Sequence, residues 1–294
     1  MGSVGVACEG ADPLGSEQSI REDAILADVL SWCLTAAWLD ARRTGDLTGA
    51  VSRWARAFRC RATWADHEAR CHAIVERAIE TCDRRRTCLV LGSGLVRDVP
   101  LDRLAEAFER VLLIDVVHLW PARWKARRHA DVRLVDLDVT GTTDLLLGRA
   151  TGIGDPLARL AGDPEIDLTI SANCLSQLAI LPVDRLERSG AAIRRRFPDL
   201  GRRIVEGHLA ALARFPGRVC LLSDTEGRDV DAEGRVIERR DLLHGMRLPP
   251  ADADWDWTLA PIGECADDHA IVHRAHGWVD FHSAATRDKT RTSR

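Results

Sequence analysis

The 294-residue sequence contains no tyrosine, two methionines and five phenylalanines, against nine tryptophans, and its basic residues are almost all arginine. Both features read as a compositional bias at the codon level and exclude no function. What the nine cysteines lack is spacing. Cys8, Cys33, Cys60, Cys71, Cys82, Cys88, Cys174, Cys220 and Cys265 include no Cys-x-x-Cys pair and no Cys/His group of zinc spacing, which argues against a structural zinc site. An odd number also argues against a closed disulfide framework, and Cys88 and Cys220, set in apolar runs, read as small hydrophobes. No apolar run approaches the roughly 18 residues of a membrane span, so no membrane partner is expected. The charged-then-apolar pattern of a secretion signal is missing at the N-terminus, and with free thiols this points to a reducing cytoplasm. Positive charge is not in excess either: the formal net charge is -4 at pH 7, giving no global attraction to nucleic acid or anionic lipid. No internal repeat is present.

A hydrophobic fraction of 46% and a charged fraction of 29% suit a globular chain with a sizeable core. Residues 1–18 are Gly-rich and weakly patterned and read as a flexible leader. Residues 19–84 form a helical N-terminal module. Ile25, Leu26, Val29, Leu30, Cys33 and Leu34 recur at three- and four-residue steps, and later stripes centre on Trp54, Ala57, Phe58 and on His72, Ile74, Val75, Ala78. From 85 the pattern changes to short apolar runs alternating with helices. Strands are expected at 87–91, 111–114, 132–135, 166–170 and 218–222, with a later alternating pair at 255–260 and 270–276. Helices are expected at 100–109, 121–129 and 184–214, the last broken at Pro198. This predicts a doubly wound α/β domain over 85–282, a mostly parallel seven-stranded sheet with an antiparallel edge pair, and a flexible tail over 283–294. Ligands of such sheets bind beyond the carboxyl ends of the strands, where the strand order reverses.

The residues following each strand are therefore the candidates. Gly92-Ser93-Gly94 follows the first strand and lets the backbone pass close to a ligand. Arg97 stands where a dinucleotide fingerprint has its third glycine, and the next helix begins some five residues after Gly94, both of which disfavour NAD(P). Asp115 ends the second strand, 21 positions beyond Gly94, the distance at which a carboxylate accepts hydrogen bonds from a ribose diol. After the third strand come Asp136 and Asp138, one able to accept from an adenine amino group and the other to cap the turn; Asp138, further past the strand, is taken for the first role.

The series Leu89-Val-Leu-Gly92-Ser-Gly94, Leu113-Ile-Asp115, Val132 to Asp138-Val-Thr140 and Asp167-Leu-Thr-Ile-Ser171-Ala-Asn173 resembles, in order and spacing over 87–280, the motifs of class I S-adenosylmethionine-dependent methyltransferases. The resemblance implies S-adenosylmethionine as cofactor. It places Gly92, Ser93 and Gly94 under the methionine portion and Asp115, with the adjoining Val116, at the ribose. It places Asp138 at the adenine, and Ser171 with Asn173 near the reactive methyl. The family pattern of an acidic residue ahead of Gly92 is not met.

For a general base the sequence offers His208, His67 and Asp224, and more distantly His72 and His118, each with the alternative of a structural side chain. The basic stretches 123–129, carrying Trp124, and 194–203 read as solvated helix faces, which disfavours nucleic acid. Trp32, Trp38, Trp54 and Trp64 read as helix-packing core, with a substrate lid as the alternative. No Asn-Pro-Pro-Tyr motif, nucleophilic-cysteine motif or metal set marks the acceptor, and a small molecule is expected. The function expected is methyl transfer, with the N-terminal helices shaping the acceptor site. The alternatives are a protein that keeps fold and cofactor without turnover, and an NAD(P)-linked oxidoreductase.

Overall fold

Why the central strands lie flat against helices on both sides follows from their alternation. In β1 (Thr87–Leu91) every residue is buried, so Cys88 and Val90 face one layer and Leu89 and Leu91 the other. A computed structural model describes residues 39–188 and 195–292. The leader at 1–18, the apolar stripe at 25–34, Trp32 and Trp38 lie outside the described residues.

Three helices precede the sheet: α1 (Leu39–Thr44), α2 (Asp46–Arg59) and α3 (Arg61–Glu80). Next come β1, α4 (Leu101–Ala107), β2 (Arg110–Asp115), α5 (Trp120–Ala126) and β3 (Val132–Asp136). Two single-turn helices, α6 (Thr143–Leu146) and α7 (Ala158–Ala161), lead to β4 (Ile166–Ala172), α8 (Ile180–Glu187) and α9 (Leu200–Leu212). The chain ends with β5 (Arg218–Asp231), β6 (Val236–Asp241), β7 (Ala253–Ala260), β8 (His269–Trp278) and α10 (Phe281–Thr292). The strand order is β3-β2-β1-β4-β5-β8-β7, with β6 paired to β5 off this path. Strands β1 to β5 pair in parallel, and β8 and β7 add antiparallel. The order reverses between β1 and β4.

The two layers are distinct. Cys88, Val90, Val111, Leu113, Leu168, Ile170, Cys220 and Leu222 pack against Cys71, Ile74, Val75 and Ala78 of α3 and Leu104 of α4. Leu89, Leu91, Ile114, Val219 and Leu221 pack against Val205 and Leu212 of α9 and against Trp278 and Phe281. Helix α3 thus belongs to the core of the sheet, although its sequence falls in the N-terminal helical module.

Two expectations are corrected. The sheet has eight strands, because the polar stretch after 222 continues β5 and folds back as β6, whose exposed residues carry no apolar alternation to announce a strand. The turn is closed by Asp231, whose carboxylate accepts the amides of Glu233 and Arg235, with Gly234 at φ 81°. The stretch from 283 is helical, anchored by buried Phe281 and Ala284. The helical region expected at 184–214 is interrupted at Pro198 as expected: Phe197, Pro198 and Asp199 lie outside helix, and α9 begins at Leu200.

Candidate functional site

Register brings the strand ends to one rim. Leu91 pairs with Ile114 and with Ser171, Asp115 with Asp136, and Ala172 with Leu222. Beyond these positions opens a cavity of about 330 Å³, at the point where the strand order reverses. Its lining includes seven of the eight expected binding residues: Gly92, Ser93, Gly94, Asp115, Val116, Asp138 and Asn173. Thr44, Asp46, Arg53 and Arg56 of the N-terminal helices also line it.

Asp115 joins the loops after β1 and β2. Its Oδ2 accepts the Gly94 amide at 2.8 Å and its Oδ1 accepts the Val116 amide at 2.8 Å. A carboxylate has about four lone-pair positions, so two remain for a ligand. Gly92 and Gly94 lie at φ 69° and 50°, the left-handed region that glycine enters without strain. At Gly92 packing adds a second requirement, since a Cβ there would sit 2.3 Å from the Cβ of Cys174. Ser93 is turned to a buried relay. Its Oγ lies 3.1 Å from His118 Nε2, and His118 Nδ1 lies 2.6 Å from Asp136 Oδ1. The carboxylate fixes the proton on Nδ1, so Nε2 accepts from the Ser93 hydroxyl. That bond and the adjacent Arg123 hold the Asp136 carboxyl below its ordinary range.

Asp138 is the first correction at the site. Its Oδ1 accepts from the Thr140 amide and hydroxyl, and its Oδ2 from the amides of Thr142 and Thr143. All four lone-pair positions are spent on its own loop and on the start of α6, so Asp138 caps the turn while Asp136, half-buried, partners His118. An adenine contact by this carboxylate would displace one of those bonds.

Ser171 is the second. It is fully buried beneath the cavity, its Oγ 3.0 Å from His208 Nε2 and 3.4 Å from Cys174 Sγ. His208 does not line the cavity, and burial pushes its imidazole down to about 4, so it is a neutral core side chain. His67 is buried between elements, stacked on Trp257 at 3.8 Å and accepting at Nδ1 from Trp255 Nε1 at 3.1 Å. Its Nε2 therefore carries the proton of the neutral ring and faces Cys71 Sγ at 3.5 Å and Asp98 at 3.7 Å. His67, Cys71 and Asp98 stand close enough together to suggest a metal site. The Trp255 bond opposes it, because Nε2 could ligate only after losing that proton. His72 is also structural, its Nε2 donating to the Arg97 carbonyl at 2.7 Å.

Asn173 and Asp224 are two cavity-lining residues with buried polar atoms that lack a partner among the described residues. Asn173, 1% exposed and at φ 51°, has no hydrogen-bond partner on either side-chain atom. Its backbone amide is held by Leu222 O at the β4–β5 junction. Asp224 lines the cavity, gives Oδ2 to His273 Nδ1 at 2.8 Å and leaves Oδ1 buried and unpartnered. A β-bulge between Asp224 and Glu226 aims it there. His273 was missed by sequence reasoning: it sits mid-strand in an alternating run, where nothing marks a histidine as facing a cavity.

Asp46 opens α2 across the cavity. Burial raises its carboxyl above the ordinary range; a hydrogen bond from Thr44 opposes this, and the nearby Asp138 and Asp115 charges add to it.

No protein-family model matches the sequence, and no curated protein does. Among solved structures the chain is similar to the N-methyltransferase NodS from Bradyrhizobium japonicum in complex with S-adenosyl-L-homocysteine. That match has 12% identity, covers 73% of this chain and 87% of that one, and gives a TM-score of 0.35. It is also similar to the 1,6-didemethyltoxoflavin-N1-methyltransferase of Burkholderia thailandensis, at 18% identity over 93% of each chain, TM-score 0.33. A DhpI complex with S-adenosylhomocysteine aligns at 16% identity over 77% of this chain and 93% of that one, TM-score 0.36. Similarity at these levels transfers no residue role and no activity.

Proposed function

We propose that the chain is an S-adenosylmethionine-dependent methyltransferase acting on a small-molecule acceptor. The observation that carries this reading is the convergence of Gly94, Asp115 and Asn173 on one cavity at the switch point of the sheet, with the Asn173 amide unsatisfied. An unpartnered buried amide costs about 1–3 kcal/mol, a cost that a bound ligand would remove. The strand order and late antiparallel pair are those the motif series implies.

In this reading Gly94 and Val116 supply backbone at the nucleoside and Asp115 keeps two lone pairs for the ribose hydroxyls. Asp138 acts through its loop, holding Val139 and Thr140 at the rim of the cavity. Asn173 lies beside the reacting group. The cofactor would supply an electrophilic methyl carbon on a sulfonium. The protein's contribution is to hold the acceptor in line with it and keep water out. NAD(P) is disfavoured because the helix after the glycine loop begins only at Leu101, too far back to hold a pyrophosphate at its N-terminus. Among the described residues no helix is long and apolar enough to cross a membrane. The described cysteines are free thiols, which suits a reducing compartment.

Labelled S-adenosylmethionine incubated with the protein and a small-molecule extract tests turnover. Transfer of label to a low-molecular-weight product is the expected outcome. Binding of the cofactor with no transfer to any fraction would instead favour a non-enzymatic binding role.

A further inference from the structure

One wall of the cavity is chemically unlike the rest. Trp64, Trp257 and His273 stand edge to face in succession, with centroids 5.2 Å apart for the tryptophan pair and 6.0 Å for Trp257 and His273. All three line the cavity, with Leu259 beside them. Behind His273 is Asp224, 1% exposed, bonded through Oδ2 to Nδ1 at 2.8 Å. A buried carboxylate at Nδ1 fixes the imidazole proton there, as in a serine-hydrolase triad. Nε2 is thereby left as a bare lone pair, and it has no partner among the described residues. Two polar groups on this wall are buried and have no partner among the described residues: Asp224 Oδ1 and Trp257 Nε1. An aromatic wall that carries a carboxylate oxygen, an indole N–H and an imidazole lone pair, none of them met among the described residues, describes a ligand with both apolar surface and polar atoms.

We propose that His273 is the general base of the methyl-transfer site, positioned by Asp224, and that the acceptor is a flat ring bearing an acidic O–H or N–H. This rests on the methyltransferase reading and deepens it. The ring packs against the aromatic wall beside Leu259, its protic group reaches His273 Nε2, and a second polar group of the ring can meet Trp257 Nε1. In the reaction the acceptor's proton passes to Nε2, and the electron pair of its O–H or N–H bond forms the new bond to the methyl carbon. The carbon–sulfur pair stays on sulfur as a neutral thioether. The imidazolium is offset by the Asp224 carboxylate and returns its proton to solvent. His67, stacked on Trp257, fixes the plane of that ring.

The test uses the full chain in two arms. Two-bond ¹H–¹⁵N spectra of the imidazoles, without ligand, should show His273 protonated at Nδ1 and bare at Nε2. Asp224→Asn should shift it toward the Nε2-protonated tautomer, the change that the same substitution makes in a serine-hydrolase triad. In the second arm the protein, saturated with S-adenosylhomocysteine, is titrated with 2-naphthol and with 2-methoxynaphthalene, followed by tryptophan quenching. The naphthol should bind at least about tenfold more tightly than its ether, since a site built to bond a hydroxyl rejects the analogue lacking it. In His273→Phe the preference should shrink below about threefold while the ether binds as before. An Nε2-protonated wild-type His273, a tautomer indifferent to Asp224→Asn, or equal affinity for the two probes would overturn the proposal. Failure of S-adenosylhomocysteine to bind, with the Nδ1 tautomer in place, overturns the cofactor reading and leaves the His273–Asp224 pair standing. The converse pattern overturns only the base.

Discussion

The carboxylate of Asp115 and the amide of Gly94, 21 residues apart in sequence, meet at 2.8 Å and tie the first two strand ends into one rim. The bond explains why both residue types stand at that spacing. Glycine lets the turn reach φ 50°, and the aspartate accepts the amide the turn exposes while keeping two lone pairs toward the cavity.

Replacing Asp115 by Ala separates the two roles. Loss of ribose contacts should weaken S-adenosylhomocysteine about ten- to hundredfold, the equivalent of about one hydrogen bond to a charged group. Stability should fall by about 1–3 kcal/mol, as the Gly94 amide loses its partner. Calorimetric affinity read beside a urea midpoint checks both; unchanged affinity in a folded variant would count against the ribose role.

Gly92→Ala probes packing. The added Cβ would meet Cys174 at 2.3 Å in a backbone conformation that L-residues avoid. A loss of about 1–3 kcal/mol or more is expected from overpacking and strain. The double variant with Cys174→Gly should recover part of it, which urea denaturation measures. No recovery would mean that the φ angle alone sets the requirement.

His208 sets a pH dependence. Its folded value is pushed down to about 4 from an ordinary 6.5, so between these limits the unfolded chain binds a proton that the native state does not. Stability therefore rises with pH across that window and is lost as pH falls from 6.5 toward 4. The contribution is of order 3–4 kcal/mol across the window, since each tenfold change in proton affinity is worth about 1.4 kcal/mol. In His208→Gln the fall in melting temperature between pH 7 and pH 5 should be shallower than in the wild type.

Asp46 has the opposite sign. Its carboxyl is raised by burial and by the neighbouring charges of Asp138 and Asp115, so the native state holds its proton above pH 3.8, and stability falls as pH climbs through the raised value. Asp46→Asn should raise the melting temperature at pH 7 modestly, and the gain should vanish toward pH 3.5. A lower melting temperature at pH 7 would mean that its placement in the first turn of α2 outweighs the burial of its charge.

The sheet is legible in the sequence because its evidence is local. Runs such as Cys88 to Leu91 and Val111 to Ile114 are apolar on both faces, as only buried parallel strands are, and the glycine and aspartate that end them mark the rim directly. Strand β6 is not legible, since an exposed hairpin on the extension of β5 has no face to bury and hence no pattern. The role of Asp138 is hidden for a related reason. Sequence offers two carboxylates two residues apart, and which one caps a loop depends on backbone amides at 140, 142 and 143 that only the fold brings together. His208 and His67 carry the chemistry of a base but do not line the cavity, whereas His273 reaches it because β8 returns antiparallel beside β5, bringing His273 to Asp224, 49 residues away.

Calorimetric titration of the chain with S-adenosylhomocysteine, and in parallel with NADH, separates the two cofactors at this cavity. One site for S-adenosylhomocysteine, weakened by Asp115→Ala, and no heat from NADH is expected. Absence of S-adenosylhomocysteine binding at millimolar concentration, or binding that Asp115→Ala leaves untouched, would contradict the cofactor reading.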